Sequence, residues 1–427
     1  MATLTVESFS CIQNAVLETA SLTILIGPQA SGKSVLSKLL YFFNDVIDDQ
    51  PIFVEDLTTF EDFTKYIEEN FRKSFPQQAW GPNAFQVTFE SGPLKISVQR
   101  SKPRKKSPGR LRWTFSEFLT TEYARMMEET KAAREKSSQE RVSRRDEFEL
   151  NWRIRRRHEE RLQAELARDY VAAQLFVPAG RSFFTSMGKT VVAFEQGGYL
   201  DPLTIRFGRY FLSMRDFASG RHMIYRPQSP NKQKETLRTE LGKTLFGGDI
   251  KMERNEDYVQ TADGRKIPFS YLSSGQQELL PLWIALNEFT DDEDDANVIY
   301  IEEPEAHLFP TAQSVLMEYL AGLVGESKRR RMLITTHSPY VLAKVNNFLK
   351  AGALASVLSK VRQQAVERII PRNAWLNSAA VKAYAIVDHT LTSLIADDGL
   401  VDAEYLDGVS EEIAHEFTQL LGIESAL

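Results

Sequence analysis

Residues 21–43 read SLTILIGPQASGKSVLSKLLYFF. Leu22–Ile26 is a short apolar run closed by a glycine, the pattern of a buried strand, and after Ser34 the apolar residues recur at helical spacing. Between them Gly27, Pro28, Gln29, Ala30, Ser31, Gly32, Lys33 and Ser34 fit the template of Gly, four residues, Gly, Lys, Ser. Small residues there let consecutive backbone N–H groups curl around a β-phosphate at the positive end of the following helix. Lys33 then reaches the β- and γ-phosphates, and the Ser34 hydroxyl is placed to ligate Mg²⁺. A chance glycine-rich turn would not need a strand before it and a helix after it. Strand, loop and helix together open an α/β core whose loop suits the phosphates of a nucleotide.

Composition bounds the rest. With 427 residues, 42% of them apolar, the chain can bury one large core or two smaller ones. One cysteine, Cys11, excludes an internal disulfide framework and makes a reducing, cytoplasmic setting the expectation. No apolar run reaches the roughly 18 residues of a membrane helix, and the opening MATLTVESFSCIQN lacks the basic-then-apolar pattern of a secretory leader, so no membrane contact is expected. The net charge of −6 conceals an asymmetry. Between Lys95 and Arg168 there are 21 Lys or Arg against 12 Asp or Glu, so a basic segment sits on an acidic body.

Along the chain, TLTVESF reads as a strand, and AFQVTFESGPLKISVQR as a strand pair turning at SGP. From Phe115 to Gln174 there is no Gly or Pro, and Glu, Arg, Lys and Ala dominate, which reads as a helical hairpin or short coiled coil. Later, apolar strands alternate with polar loops and helices, the signature of a mainly parallel sheet covered by helices. The reading divides the chain into residues 1–112, the first part of the core with the phosphate loop; 113–174, the charged hairpin; 175–377, the second part of the core; and 378–427, a helical C-terminal lobe.

Three further stretches carry chemistry. SYLSSGQQELLPLW, residues 270–283, places Ser273, Ser274, Gly275 and Gln276 just before an apolar helix, which at the least caps that helix. VIYIEEPEAHL ends a buried strand in Glu302 and Glu303. Carboxylates at the carboxyl end of a parallel strand face the ligand crevice of an α/β sheet; one could hold Mg²⁺ and the next orient the attacking water. A solvated acidic turn would explain them equally simply. MLITTHSPY ends another apolar strand at His337, placed either to contact a γ-phosphate or its water, or simply to serve the structure.

Phosphate loop, LSSGQ, carboxylate strand and histidine strand, in that order, resemble the ATP-binding-cassette ATPases of the group that includes the SMC, RecF and OLD proteins. The resemblance spans Gly27 to His337, about three quarters of the chain, with the basic hairpin where relatives carry a coiled coil. It implies a nucleotide site shared between subunits: Ser273 and Gly275 would cap the γ-phosphate bound by a neighbour's phosphate loop, ATP would join the subunits as a dimer or larger ring, and hydrolysis would release them. It also implies Glu303 as the residue that polarises water and Glu302 as the one near Mg²⁺. Two departures stand out: Glu302 occupies a position that is Asp in many relatives, and Phe309 replaces a histidine.

EEPEAHL and TTHSPY together resemble the ATPases of bacterial antiviral systems. The nearest type is the sensor ATPase of PARIS anti-phage systems, with the ATPase of Septu systems as the rival. That resemblance implies a homo-oligomeric sensor that assembles with a separate nuclease effector of the TOPRIM type and releases it when a phage trigger protein is met. No carboxylate triad of a metallonuclease is visible after His337, so no nuclease activity of the chain itself is expected. A different class, a RecF-like repair ATPase, would lay RIRRRHEERLQAELAR on DNA phosphates; the interleaved acids and sparse aromatics favour a protein partner instead. Arg181, in LFVPAGRSFF, reads either as a contact to phosphate or a partner or as a surface residue of a Pro–Gly turn.

Overall fold

All five residues of the strand at Leu22–Ile26 are buried, and they point alternately into two hydrophobic layers: Leu22, Ile24 and Ile26 into one, Leu25 into the other. A strand covered on both faces is mostly apolar, and its one polar side chain, Thr23, is buried and accepts from the Ala20 N–H. The computed structural model describes residues 1–102, 109–140, 144–187, 200–218, 232–253, 256–290, 296–402 and 415–419.

Among these, the strands in chain order are β1 (Thr3–Phe9), β2 (Ile12–Glu18), β3 (Leu22–Ile26), β4 (Phe85–Ser91), β5 (Leu94–Arg100), β6 (Leu111–Phe115) and β7 (Ala173–Val177). They continue with β8 (Gly248–Met252), β9 (Asp257–Thr261), β10 (Lys266–Pro268), β11 (Asn297–Glu302), β12 (Arg331–Thr336), β13 (Val381–Val387) and β14 (Thr390–Ser393). Eleven of them form one sheet in the order β6-β5-β4-β1-β2-β14-β13-β3-β12-β11-β7, while β8, β9 and β10 form a small separate sheet. From β13 to β7 the large sheet is parallel, and from β6 to β2 it is antiparallel. The expected α/β architecture with an antiparallel N-terminal portion is therefore present.

Helices cover both faces. Lys33–Glu55 packs Leu36, Leu39, Leu40 and Phe43 into one layer, and Ser274–Phe289, Pro310–Glu326 and Pro339–Val357 fill the other. The basic stretch folds as two helices, Glu117–Glu140 and Arg144–Leu166. Tyr123 and Met126 of the first and Leu162 and Leu166 of the second join the same layer as the helix Lys33–Glu55.

The C-terminal stretch departs from expectation. Instead of opening a helical lobe at Ser378, the chain re-enters the large sheet: β13 lies parallel to β3, and β14 folds back on β13 and pairs with β2. Its sequence VKAYAIV explains this, because Val381, Ala383 and Ala385 face one hydrophobic layer while Tyr384 and Ile386 face the other. Residues 415–419 are helical, and the rest of the expected lobe beyond Asp402 lies outside the described residues.

Candidate functional site

Strand register assembles the site. Ile26 pairs with Thr336, Thr335 with Glu302, and Ile301 with Val177, so β3, β12, β11 and β7 end at the same edge of the sheet. The loops that leave them begin with Gly27, His337, Glu303 and Pro178. Four polar segments scattered along more than 300 residues of sequence thus meet at one carboxyl edge, where open α/β sheets bind ligands.

In the phosphate loop, Gly32 adopts a φ of 110°, and a Cβ there would stand 2.8 Å from Ile12 Cγ1. Glycine is required by both conformation and space. It precedes the helix Lys33–Glu55 without offering a side-chain cap, so the first N–H groups of that helix are left for an anion. The Ser31 hydroxyl is buried with no hydrogen-bond partner, a polar group that a phosphate oxygen would satisfy. Pro28, Gln29, Ala30 and Ser34 are exposed. The Lys33 ammonium donates to the carbonyls of Gly27 and Pro28, each at 2.8 Å. Burial pushes Lys33 below its ordinary value, and the carboxylates of Glu303, Glu305 and Glu302 oppose that shift. One ammonium therefore faces three carboxylates across the edge.

Glu302 is 6% exposed; its Oε2 accepts from the Ala179 N–H at 3.3 Å, and its Oε1 is buried without a partner. The orphaned carboxylate oxygen of Glu302 and the exposed Ser34 hydroxyl are oxygen donors of the kind that a hard divalent cation such as Mg²⁺ takes. Glu303 takes a φ of 45°, uncommon for a residue with a side chain, and its N–H donates to the Thr335 carbonyl at 2.9 Å. This turn separates the two neighbours: Glu302 points into the protein, while Glu303 Oε1 stands 3.1 Å from His337 Nε2. The histidine thus pairs directly with the carboxylate.

Two residues make contacts at this edge that the sequence reading does not give. Glu305 is buried, and its Oε1 accepts from the Thr336 hydroxyl at 2.6 Å and from the His337 N–H at 2.8 Å, fixing the histidine loop. Its only sequence signal is a third glutamate two residues past Glu303. Arg181 is neither a phosphate contact nor a surface residue: it is 0% exposed and donates to the carbonyls of Pro178, Glu302, Glu303 and Glu278. The PAGR turn gives no hint of this, because all but one of its partners are distant in sequence.

The signature turn lies at the start of the helix Ser274–Phe289. Ser273 accepts from the Gln276 N–H while Gln276 Oε1 accepts from the Ser273 N–H, a complete capping box. Ser273 and Ser274 are exposed, whereas Gly275 is buried; a Cβ on Gly275 would meet the His307 carbonyl at 2.6 Å. The outward face of the turn therefore belongs to the two serines, and Gly275 lets the turn rest against the carboxylate loop. Phe309, in the position where relatives carry histidine, is 75% exposed at the start of the helix Pro310–Glu326.

Comparisons with known proteins follow this geometry. Solved structures similar to the chain include the SMC head domain from Thermotoga maritima, 11% identical over 92% of this chain and 97% of that one, with a TM-score of 0.35. Others are an SMC head bound to the C-terminal winged-helix domain of ScpA, 12% identical over 93% and 98% with a TM-score of 0.40, and the Pyrococcus furiosus SMC head with an extended coiled coil bound to ScpA, 13% identical over 97% and 100% with a TM-score of 0.38. No curated protein matches the chain. Residues 224–342, which hold the signature turn, the carboxylate strand and the histidine strand, match the AAA ATPase domain family.

Proposed function

We propose that the chain is an ATPase of the ATP-binding-cassette type, converting ATP to ADP and phosphate at a site shared between subunits. One observation carries the reading: strand register sets Lys33 of the phosphate loop against Glu302, Glu303 and Glu305, with His337 on Glu303. The match to an ATPase domain supports it independently.

In this reading the open N–H groups at the start of the helix Lys33–Glu55 and the Lys33 ammonium bind the β- and γ-phosphates. Ser34 and Glu302 would hold Mg²⁺, which when bound neutralises developing charge on the phosphates. Glu303 orients a water for attack on the γ-phosphorus and takes up its proton, and His337 holds that carboxylate in place from 3.1 Å. Ser273 and Ser274, on the exposed face of the signature turn, contact the nucleotide of a neighbouring subunit. Lys33→Ala is expected to weaken ATP binding by roughly 10- to 100-fold, the weight of a charge-assisted contact of about 1.5–3 kcal/mol. Glu303→Gln is expected to bind ATP normally and turn it over roughly 100-fold or more slowly. Unchanged binding in the first variant contradicts the phosphate-loop assignment; normal turnover in the second gives the water to another residue.

The biological role proposed is that of a sensor and scaffold that restrains a separate nuclease effector in anti-phage defence. The resemblance of EEPEAHL and TTHSPY to antiviral ATPases supports it. Isolation of the ATP-bound assembly from its native host should bring a nuclease-sized partner with it; an assembly of this chain alone, or with DNA, would return the weight to a repair-type ATPase. Charge pairing within the hairpin argues against a DNA-binding role. Arg153 pairs with Glu149, Arg156 with Glu160, Arg157 with Glu129 and Arg161 with Glu122, so many of its cations are already committed to carboxylates.

A further inference from the structure

Arg181 follows the turn Pro178–Gly180 after β7, and its guanidinium is enclosed completely. On one side it forks onto the end of β11: NH1 donates to the Glu302 carbonyl at 2.6 Å and NH2 to the Glu303 carbonyl at 3.0 Å. On the other side its Nε donates to the Glu278 carbonyl at 3.0 Å, and its backbone N–H donates to Glu278 Oε2 at 2.7 Å. The remaining carboxylate oxygen of Glu278 accepts from the Ser182 hydroxyl at 2.8 Å.

Glu278 is itself buried and lies five residues after Ser273, within the helix that the signature turn caps. That helix also touches the carboxylate loop directly, where Gly275 abuts the His307 carbonyl. From Glu278 through Arg181 to the Glu302 carbonyl the bonds are 2.6–3.0 Å long and buried, and the bond onward to the Glu303 carbonyl, at 3.0 Å, is half-buried. Burying an ion pair in place of hydrocarbon gives little stability, so a fully desolvated arginine here is better explained by what it holds in register. It holds the backbone at Glu303, the residue with the left-handed conformation, from the carbonyl side while Thr335 holds it from the N–H side.

We propose that Arg181 is a positioning residue coupling the signature helix to the carboxylates of the same chain. When Ser273 and Ser274 engage a neighbour's nucleotide, any displacement of the helix Ser274–Phe289 is passed through Glu278 and Arg181 to the backbone that carries Glu302 and Glu303. Hydrolysis at one site is thereby tied to occupancy of the other. This coupling rests on the shared-site ATPase reading above and adds its regulation.

Glu278→Ala tests it by removing the carboxylate that accepts from the Arg181 N–H and the Ser182 hydroxyl; Arg181→Lys removes the fork instead. For full-length protein with ATP and Mg²⁺, melting temperature, affinity for a fluorescent ATP analogue, kcat and KM are measured. The expected result is a kcat lower by roughly 10- to 100-fold, the scale of a small misplacement of catalytic groups, with analogue affinity and KM within about twofold of wild type. The double variant should lose no more than the worse single one, because both break the same chain of contacts. Wild-type kcat in Glu278→Ala, or losses that multiply in the double variant, would overturn the coupling. So would a lowered melting temperature with unchanged kcat per folded molecule, the outcome of a merely structural role. The ATPase reading is judged separately in the same assay by wild-type turnover and by Lys33→Ala.

Discussion

His158, in the second helix of the hairpin, is 1% exposed, and neither ring nitrogen has a hydrogen-bond partner; a carboxylate oxygen of Glu122 stands 3.9 Å from Nδ1. Burial, helped by Arg161 and opposed by Glu122, pushes the imidazole down to about 4. Between that value and the unfolded value near 6.5 the unfolded chain binds a proton that the folded chain does not, so this residue makes stability fall as pH is lowered through the window. Asp49, raised to about 6 mainly by burial, acts with the opposite sign, because there the folded chain holds the extra proton. His158→Leu should therefore remove only the first slope. Urea midpoints at pH 7 and pH 5 should show the wild type losing about 2 kcal/mol more than the variant on acidification. Equal slopes would mean that His158 finds a partner in the folded chain. Single residues were legible where a local pattern exposes them: Lys33, Ser34, Glu302, Glu303 and His337 each follow a buried apolar strand. Glu305 and Arg181 were not, because their roles are fixed by partners such as Thr336 and Glu278 that no local spacing encodes.

At the scale of elements, the phosphate-loop unit, the β4–β5 pair and the helices of the hairpin follow from periodicity and turn residues. The signature turn is both things that its sequence allowed, a capping box and an outward-facing polar surface. β13 shows where such reasoning fails. VKAYAIV contains alanines and a lysine, weak strand formers, and stands before a tail rich in helix-forming residues. Its place is set by tertiary contact: Ile386 main-chain atoms lie beside Gly27, close enough that a Cβ on that glycine would stand 3.2 Å from the Ile386 carbonyl oxygen. β13 thus forms a wall of the phosphate loop, a role that depends on pairing with a strand some 360 residues earlier.

Across the whole molecule, a single edge of one sheet gathers the phosphate loop, the carboxylates and the histidine, and Arg181 ties them to a signature helix whose serines face outward. In the proposed reading this edge binds the phosphates while the signature turn serves another copy. The central claim is therefore a site built from two chains. Its most direct measurement is ATP turnover by Lys33→Ala protein, by Ser273→Arg protein, and by the two mixed at equal concentration. Each of the first two should be inactive, and the mixture should recover part of the activity, at most roughly a quarter of the wild-type rate for a two-fold pair, because each mixed pair contains one intact site and the coupling through Arg181 slows it further. A mixture no more active than its components, or Ser273→Arg protein that turns over ATP unaided, would contradict the account.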